Sequence, residues 1–291
     1  MIELGIGLAL ACALMSNVAL LCKHRGATRA PDVRFTRPVQ SAKALFSSRW
    51  WTIGFAIAFV AWGLHVAALA MAPLSLVQSV IAGGIALLAV PARHWFGIRL
   101  GWRELVGLGL SASGLAFLAL TATENVTSDS NYSVSAMAAF EGGAIVIGLA
   151  LLLSATRDRA RRHGGLLLAA AAGVMLGVSD VALKALADAV PADFLAIVSP
   201  WTAVAAVAAV LSFFALARSL QIGDAIGVIV VSSVAANAGA IVGGVLVFGD
   251  PMGSDALAIA ARSAAFAAVI AAAALIPATP QQPAQRPTPA L

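Results

Sequence analysis

The sequence predicts an all-α polytopic membrane protein: nine transmembrane helices, arranged as two inverted four-helix repeats joined by a central helix. Three observations predict it. The composition is strongly apolar, the apolar residues fall into nine long segments, and the basic residues are confined to alternate connections. Of 291 residues, 61% are hydrophobic and 11% are charged, and the mean hydropathy is +0.95. A soluble domain runs closer to about 45–50% apolar and about 25% charged. The composition therefore excludes a soluble globular fold, a disordered chain and a disulfide scaffold. A membrane β-barrel needs alternating strands of roughly ten residues, and the unbroken runs of Ala, Leu, Val, Ile and Gly exclude that too.

The segments are 2–22, 51–71, 74–91, 104–122, 135–155, 165–187, 194–216, 225–248 and 256–276. A span needs about 20 apolar residues to cross a bilayer. The first begins Met1-Ile2-Glu3, with no basic residue before it and a basic cluster after it, so it reads as a retained span rather than a signal peptide. Trp51 opens the second, and Pro73-Leu74-Ser75 marks the start of the third. The fourth holds Gly107, Gly109 and Gly114, and the fifth stands between the two halves. The sixth carries Ser179 to Leu183, the seventh has Trp201 near its start, and Gly223-Asp224-Ala225 introduces the eighth. The ninth contains Arg262. Residues 1–276 thus form one transmembrane domain: 1–122 as the first repeat, 135–155 as the connecting helix and 165–276 as the second repeat. The end, 277–291, holds five prolines and is expected to be a disordered cytoplasmic tail.

Sixteen of the 18 Lys and Arg residues lie in alternate connections or in the tail, with seven between spans 1 and 2. The other connections hold acids, among them Glu124, Asp129, Asp188, Asp193, Asp250 and Asp255. The positive-inside rule then puts the N-terminus outside and the C-terminus in the cytoplasm, in a plasma (inner) membrane. The net charge of +5 belongs to this topology and not to nucleic-acid binding. Its cytosolic basic surfaces suit anionic lipid. Cys12 and Cys22 lie ten residues apart in one span, too far to bond to each other.

Ser16-Asn17-Val18-Ala19-Leu20 in span 1 matches Ser179-Asp180-Val181-Ala182-Leu183 in span 6, and Trp51 matches Trp201. One intervening span inverts the second copy. Inverted repeats around a central site mark secondary transporters.

Ionisable groups inside a membrane are costly and point to function. His65, Glu141 and Arg262 each lie six residues from the external end of their spans, and Asp180 seven. At 1.5 Å per residue they share a depth of roughly 9–10 Å. Glu141, Asp180 and Arg262, with His65 nearby, are therefore expected to line a site for substrate or coupling ion. Lys184 is spaced i, i+4 from Asp180 and could face it. Asn17, Gln78 and Asn237 add amides that either line the site or tie helices together. A metal ion, if bound, would use Asp180 and Glu141. The glycines, including Gly142-Gly143, Gly173, Gly177, Gly239 and Gly243-Gly244, suit close helix packing. No Walker loop, dinucleotide fingerprint, zinc-protease motif or nucleophile elbow is present, so neither an enzyme nor a cofactor is expected. A homodimer is compatible with the sequence, though no feature is specific to one.

The stretch Trp50-Trp51, Gly54, Gly63, Ala68-Leu69 and Ala72-Pro73-Leu74-Ser75-Leu76-Val77-Gln78 resembles the drug/metabolite transporter superfamily, as do the glycines of span 4. The Ser16 to Lys23 opening with its later double Trp, and the Ser179 to Lys184 segment ahead of Ala215-Leu216, resemble the NIPA-like magnesium transporter branch. The resemblance implies a carrier or facilitator that works by alternating access. The leading expectation is a carrier of a small polar solute. A Mg²⁺ transporter of NIPA type is the first alternative. A flippase for a phosphorylated lipid carrier is the second, and it requires a lateral opening with a basic residue at the gap. Arg262 separates the first two: lining the cavity favours an acidic solute, and packing elsewhere favours a cation.

Overall fold

The computed structural model describes residues 2–84, 101–120, 132–157, 163–190, 194–249 and 256–274. Among these residues the regular elements are all helical. They are α1 (Ile2–Ala27), α2 (Pro38–Phe46), α3 (Arg49–Leu69), α4 (Leu74–Gly83), α5 (Trp102–Leu120), α6 (Val134–Arg157), α7 (Gly164–Ala189), α8 (Pro200–Ile222), α9 (Ala225–Phe248) and α10 (Ala256–Ala274). A 3₁₀ turn, Phe194–Ile197, precedes α8. Among the described residues, six helices are long and apolar enough to cross a membrane: α1, α3, α6, α7, α8 and α9. Shorter apolar stretches occur in α5 (Leu105–Gly114) and α10 (Ala256–Ala265). The chain is thus a polytopic α-helical membrane protein. The end of the third expected segment (85–91) and the tail (277–291) lie outside the described residues.

Local chemistry shifts several expected boundaries. The seventh segment starts at Pro200 rather than at 194, because a proline is tolerated in the first helical turn and not in a helix interior. The first helix continues past residue 22 to Ala27. The connection after it, expected as a loop, contains α2, which also opens on a proline and buries Ser41 and Leu45. Helix α9 is capped at both ends. Asp224 Oδ1 accepts the Gly227 N–H at 2.8 Å, and Gly249 closes the helix in the left-handed region at φ 70°, a conformation glycine adopts without strain.

Helix α1 packs along α3, and α7 packs along both α8 and α9. Helix α4 lies on α1, α5 and α9; α10 lies on α5 and α9; α6 covers α7 and α9. Two of these seams depend on absent side chains. At Gly54 an added Cβ would come within 2.7 Å of the Ala19 carbonyl. At Gly173 it would run into the Ser232 carbonyl of α9. Gly177 packs against the Ala236 carbonyl one turn on, so the Gly173–Gly177 pair does serve close packing. Gly142 and Gly143 do not: a Cβ on either meets nothing within 4 Å. They face outward, because α6 lies at the edge of the bundle.

Candidate functional site

A cavity of about 310 Å³ lies among α1, α3, α4, α7, α8 and α9. Helix α1 lines it with Cys12, Ser16, Ala19 and Lys23, a stripe at helical spacing. Trp51, Ala58, Trp62 and His65 do the same on α3. Gln78 enters from α4, Leu176 and Asp180 from α7, Ser212 and Phe213 from α8, and Ser233 and Asn237 from α9.

One end of the cavity is polar. The Gln78 Nε2 amide donates to Asp180 Oδ2 at 3.1 Å and lies 3.1 Å from His65 Nε2. An amide nitrogen carries two hydrogens and no free acceptor, so Nε2 of His65 is the acceptor and its ring proton sits at Nδ1. That Nδ1 lies 3.9 Å from Asp180 Oδ1. Three helices thus contribute one residue each to a single cluster with Asp180 at its centre. Asn237 lines the cavity nearby, and its Nδ2 donates to the Ser233 carbonyl within α9.

The other end is aromatic and basic. Trp51 and Phe55 meet Phe213 edge-on at 5.6 and 6.2 Å between ring centres, and Phe46 of α2 stacks on Phe213 at 6.3 Å. Lys23 lines the wall here and lies over the Phe55 ring at 5.7 Å. The α1–α2 connection is strapped to the end of α8 at this side. Gln221 Nε2 donates to the Pro31 and Ala27 carbonyls at 2.9 and 3.3 Å, and its Oε1 accepts the Val33 N–H at 2.9 Å. Arg218 pairs with Asp32 at 3.0 Å.

Four of the eight residues expected at the site come together in the cavity: Asp180, His65, Gln78 and Asn237. The other four do not line it. Asn17 donates to the Gly84 carbonyl at 2.9 Å and ties α1 to the end of α4. Lys184 does not face Asp180. Its Nζ donates to the Leu69 carbonyl at 3.1 Å and pairs with Asp188 at 2.7 Å. Glu141 is buried on α6, outside the cavity lining, and neither carboxyl oxygen has a hydrogen-bond partner among the described residues. Arg262 is buried on α10, also outside that lining. Equal depth along separate helices left their rotation about each axis open, and α6 and α10 stand outside the helices that wall the cavity. Sequence reasoning missed Lys23, Trp51, Trp62 and Phe213. The spacing of Cys12, Ser16, Ala19 and Lys23 on one face of α1 was the signal available for the first of them.

Compared with protein-family profiles, with curated proteins and with solved structures, the chain matches none. The functional reading therefore rests on the residues of the cavity.

Proposed function

We propose that the chain is a secondary carrier of drug/metabolite-transporter type, moving a small solute across the plasma membrane by alternating access, with its N-terminus outside. The observation that carries this reading is the cavity itself. It lies between α1, α3 and α4 on one side and α7, α8 and α9 on the other, the helices assigned to the two proposed repeats. The pairing of helices supports the repeat. The α1–α3, α1–α4 and α4–α5 seams have counterparts in α7–α8, α7–α9 and α9–α10. The cross-contacts α4–α9 and α5–α10 pair equivalent helices, and α1–α8 mirrors α3–α7. Substrate sites at repeat interfaces are what this architecture provides. The Arg-rich end, with the strap on α8, is then the cytoplasmic side, where anionic lipid is the natural neighbour.

Arg262 lies outside the cavity lining, which favours a cation over an acidic solute, but the donor set gives the magnesium alternative less support. Hard divalent cations take oxygen ligands, yet Asp180 sits in a cavity walled largely by Trp, Phe, Leu and Ala, and Glu141 lies elsewhere. A lipid flippase would need its basic residue at a lateral gap, whereas Lys23 lies at the aromatic end.

Cys12 offers a test that needs no ligand. In a Cys22→Ser background it is the single thiol, and it lines the cavity. In oriented vesicles, a membrane-impermeant methanethiosulfonate reagent is expected to modify Cys12 from either side. Modification from one side alone, or from neither, would count against alternating access.

A further inference from the structure

We propose that the substrate is a monovalent organic cation with an apolar body, and that it reaches Asp180 from the bilayer through a gap between α3 and α8. This deepens the carrier reading and rests on it. The first ground is charge. At the polar end of the cavity, the groups beside the Asp180 carboxyl are uncharged in their bonding roles: the Gln78 amide that donates to it, and the His65 ring, whose Nε2 accepts from Gln78 and whose Nδ1 lies 3.9 Å from Asp180 Oδ1. The cation one turn away on α7, Lys184, is engaged by Asp188 and by the Leu69 carbonyl. Arg262 lies outside the lining. Lys23 is eleven residues along α1 from Cys12, roughly 16 Å by helical rise. Among the described residues, the polar end therefore offers a carboxyl without a cationic partner at contact distance.

The second ground is the walls. Trp62 lines the cavity three residues before His65 on α3, and Trp51 and Phe213 line it toward the Lys23 end; aromatic faces attract cations while also burying apolar groups. A hydrated divalent ion gains nothing from such walls, since it holds its waters and seeks several oxygens. An organic anion at the polar end would meet the Asp180 carboxyl, with the lining cation, Lys23, at the opposite end.

The third ground is the route. Trp62 lines the cavity and is 46% exposed, and Leu176 lines it and is 43% exposed. Ala209 of α8 is also both lining and exposed. These three side chains lie near the middle of their helices, so the wall is incomplete at membrane depth. The aromatic contacts that join α3 to α8 lie at the Lys23 end, where Trp51 and Phe55 meet Phe213. An opening onto hydrocarbon admits a solute that carries its own apolar surface.

The test uses the full chain in lipid nanodiscs and radiolabelled benzyltrimethylammonium, measured by equilibrium dialysis. We expect saturable binding that Asp180→Asn weakens at least tenfold. Neopentylbenzene (the uncharged carbon isostere), phenylacetate and MgCl₂ should each fail to compete. Ala209→Phe, which fills the gap, should slow association at least fivefold, as followed by rapid filtration after addition of the radiolabel. Absence of saturable binding, or binding untouched by Asp180→Asn, overturns the cation assignment. Competition by phenylacetate or by Mg²⁺ overturns it in favour of an anion or a metal ion. Unchanged association in Ala209→Phe overturns the lateral route. None of these results bears on the two-sided labelling of Cys12, so failure of the substrate class and failure of the carrier reading remain distinguishable.

Discussion

Asp180 and Lys184 occupy successive turns of α7, and the structure divides their work. Asp180 meets the cavity through Gln78 and His65, while Lys184 binds α3 to α7 through the Leu69 carbonyl, one of the groups a helix end leaves without an intrahelical partner. The two residues should therefore fail differently on substitution. Asp180→Asn keeps the shape and can still accept the Gln78 hydrogen bond, so folded yield and melting temperature in detergent should stay near wild type. Transport per folded molecule should fall at least tenfold. Loss of folded protein instead would assign Asp180 to packing. Lys184→Met removes the donor from the buried Leu69 carbonyl and one ion-pair partner from Asp188. Removing one partner of a buried hydrogen bond costs about 1–3 kcal/mol, so the melting temperature should drop while the folded fraction stays active. A stable but inactive Lys184→Met protein would return that residue to the site. Asn17, bonded to Gly84, belongs with Lys184. Sequence spacing could not separate these cases, because i, i+4 proximity on one helix is silent about what neighbouring helices bring to each side chain.

At the scale of elements, the seams between helices are set by glycines whose roles look alike in the sequence. Gly173 lets α7 approach the α9 backbone at Ser232 and Ala236, whereas Gly142 on α6 faces open space. Gly173→Val should force the seam apart. Overpacking of this kind typically costs about 1–3 kcal/mol, and it should also distort the cavity, since Asp180 and Asn237 sit on those same two helices. Gly142→Ala should be neutral or raise stability by about 0.5–1 kcal/mol, because alanine favours a helix over glycine. A thermal melt of both variants tests the pair, and equal losses would contradict the packing described. The long apolar helices were legible from composition, since no other structure satisfies so many backbone groups in hydrocarbon. Helix α2 was not. It is nine residues long, too short to cross a bilayer, and it buries only Ser41 and Leu45. The candidate site was legible by residue type, in that buried acids and amides were singled out. Its membership was not, because that depends on the rotation of each helix about its axis.

For the molecule as a whole, the carrier reading predicts that the α1–α2 connection leaves α8 when the cavity opens toward the basic end. The restraints there differ in strength. Asp32 is well exposed, with 71% of its side chain accessible, and such surface pairs contribute about 0–1 kcal/mol. Gln221 is the firmer tie, for it holds the Ala27 and Pro31 carbonyls and the Val33 N–H. Losing these three hydrogen bonds at about 1 kcal/mol each shifts an opening equilibrium by roughly a hundred-fold at 1.4 kcal/mol per factor of ten. Gln221→Ala should therefore speed modification of Cys12 from the basic side by about one order of magnitude or more. Modification from the opposite side should slow or stay constant, because a two-state protein cannot populate both openings more. Arg218→Ala should change the same rates by a few-fold at most, in keeping with its exposed partner. If Gln221→Ala leaves both rates unchanged, the strap is only a folded loop and the barrier lies in the Trp51–Phe55–Phe213 contacts. If it raises both rates together, the variant has loosened the bundle rather than shifted it between two states.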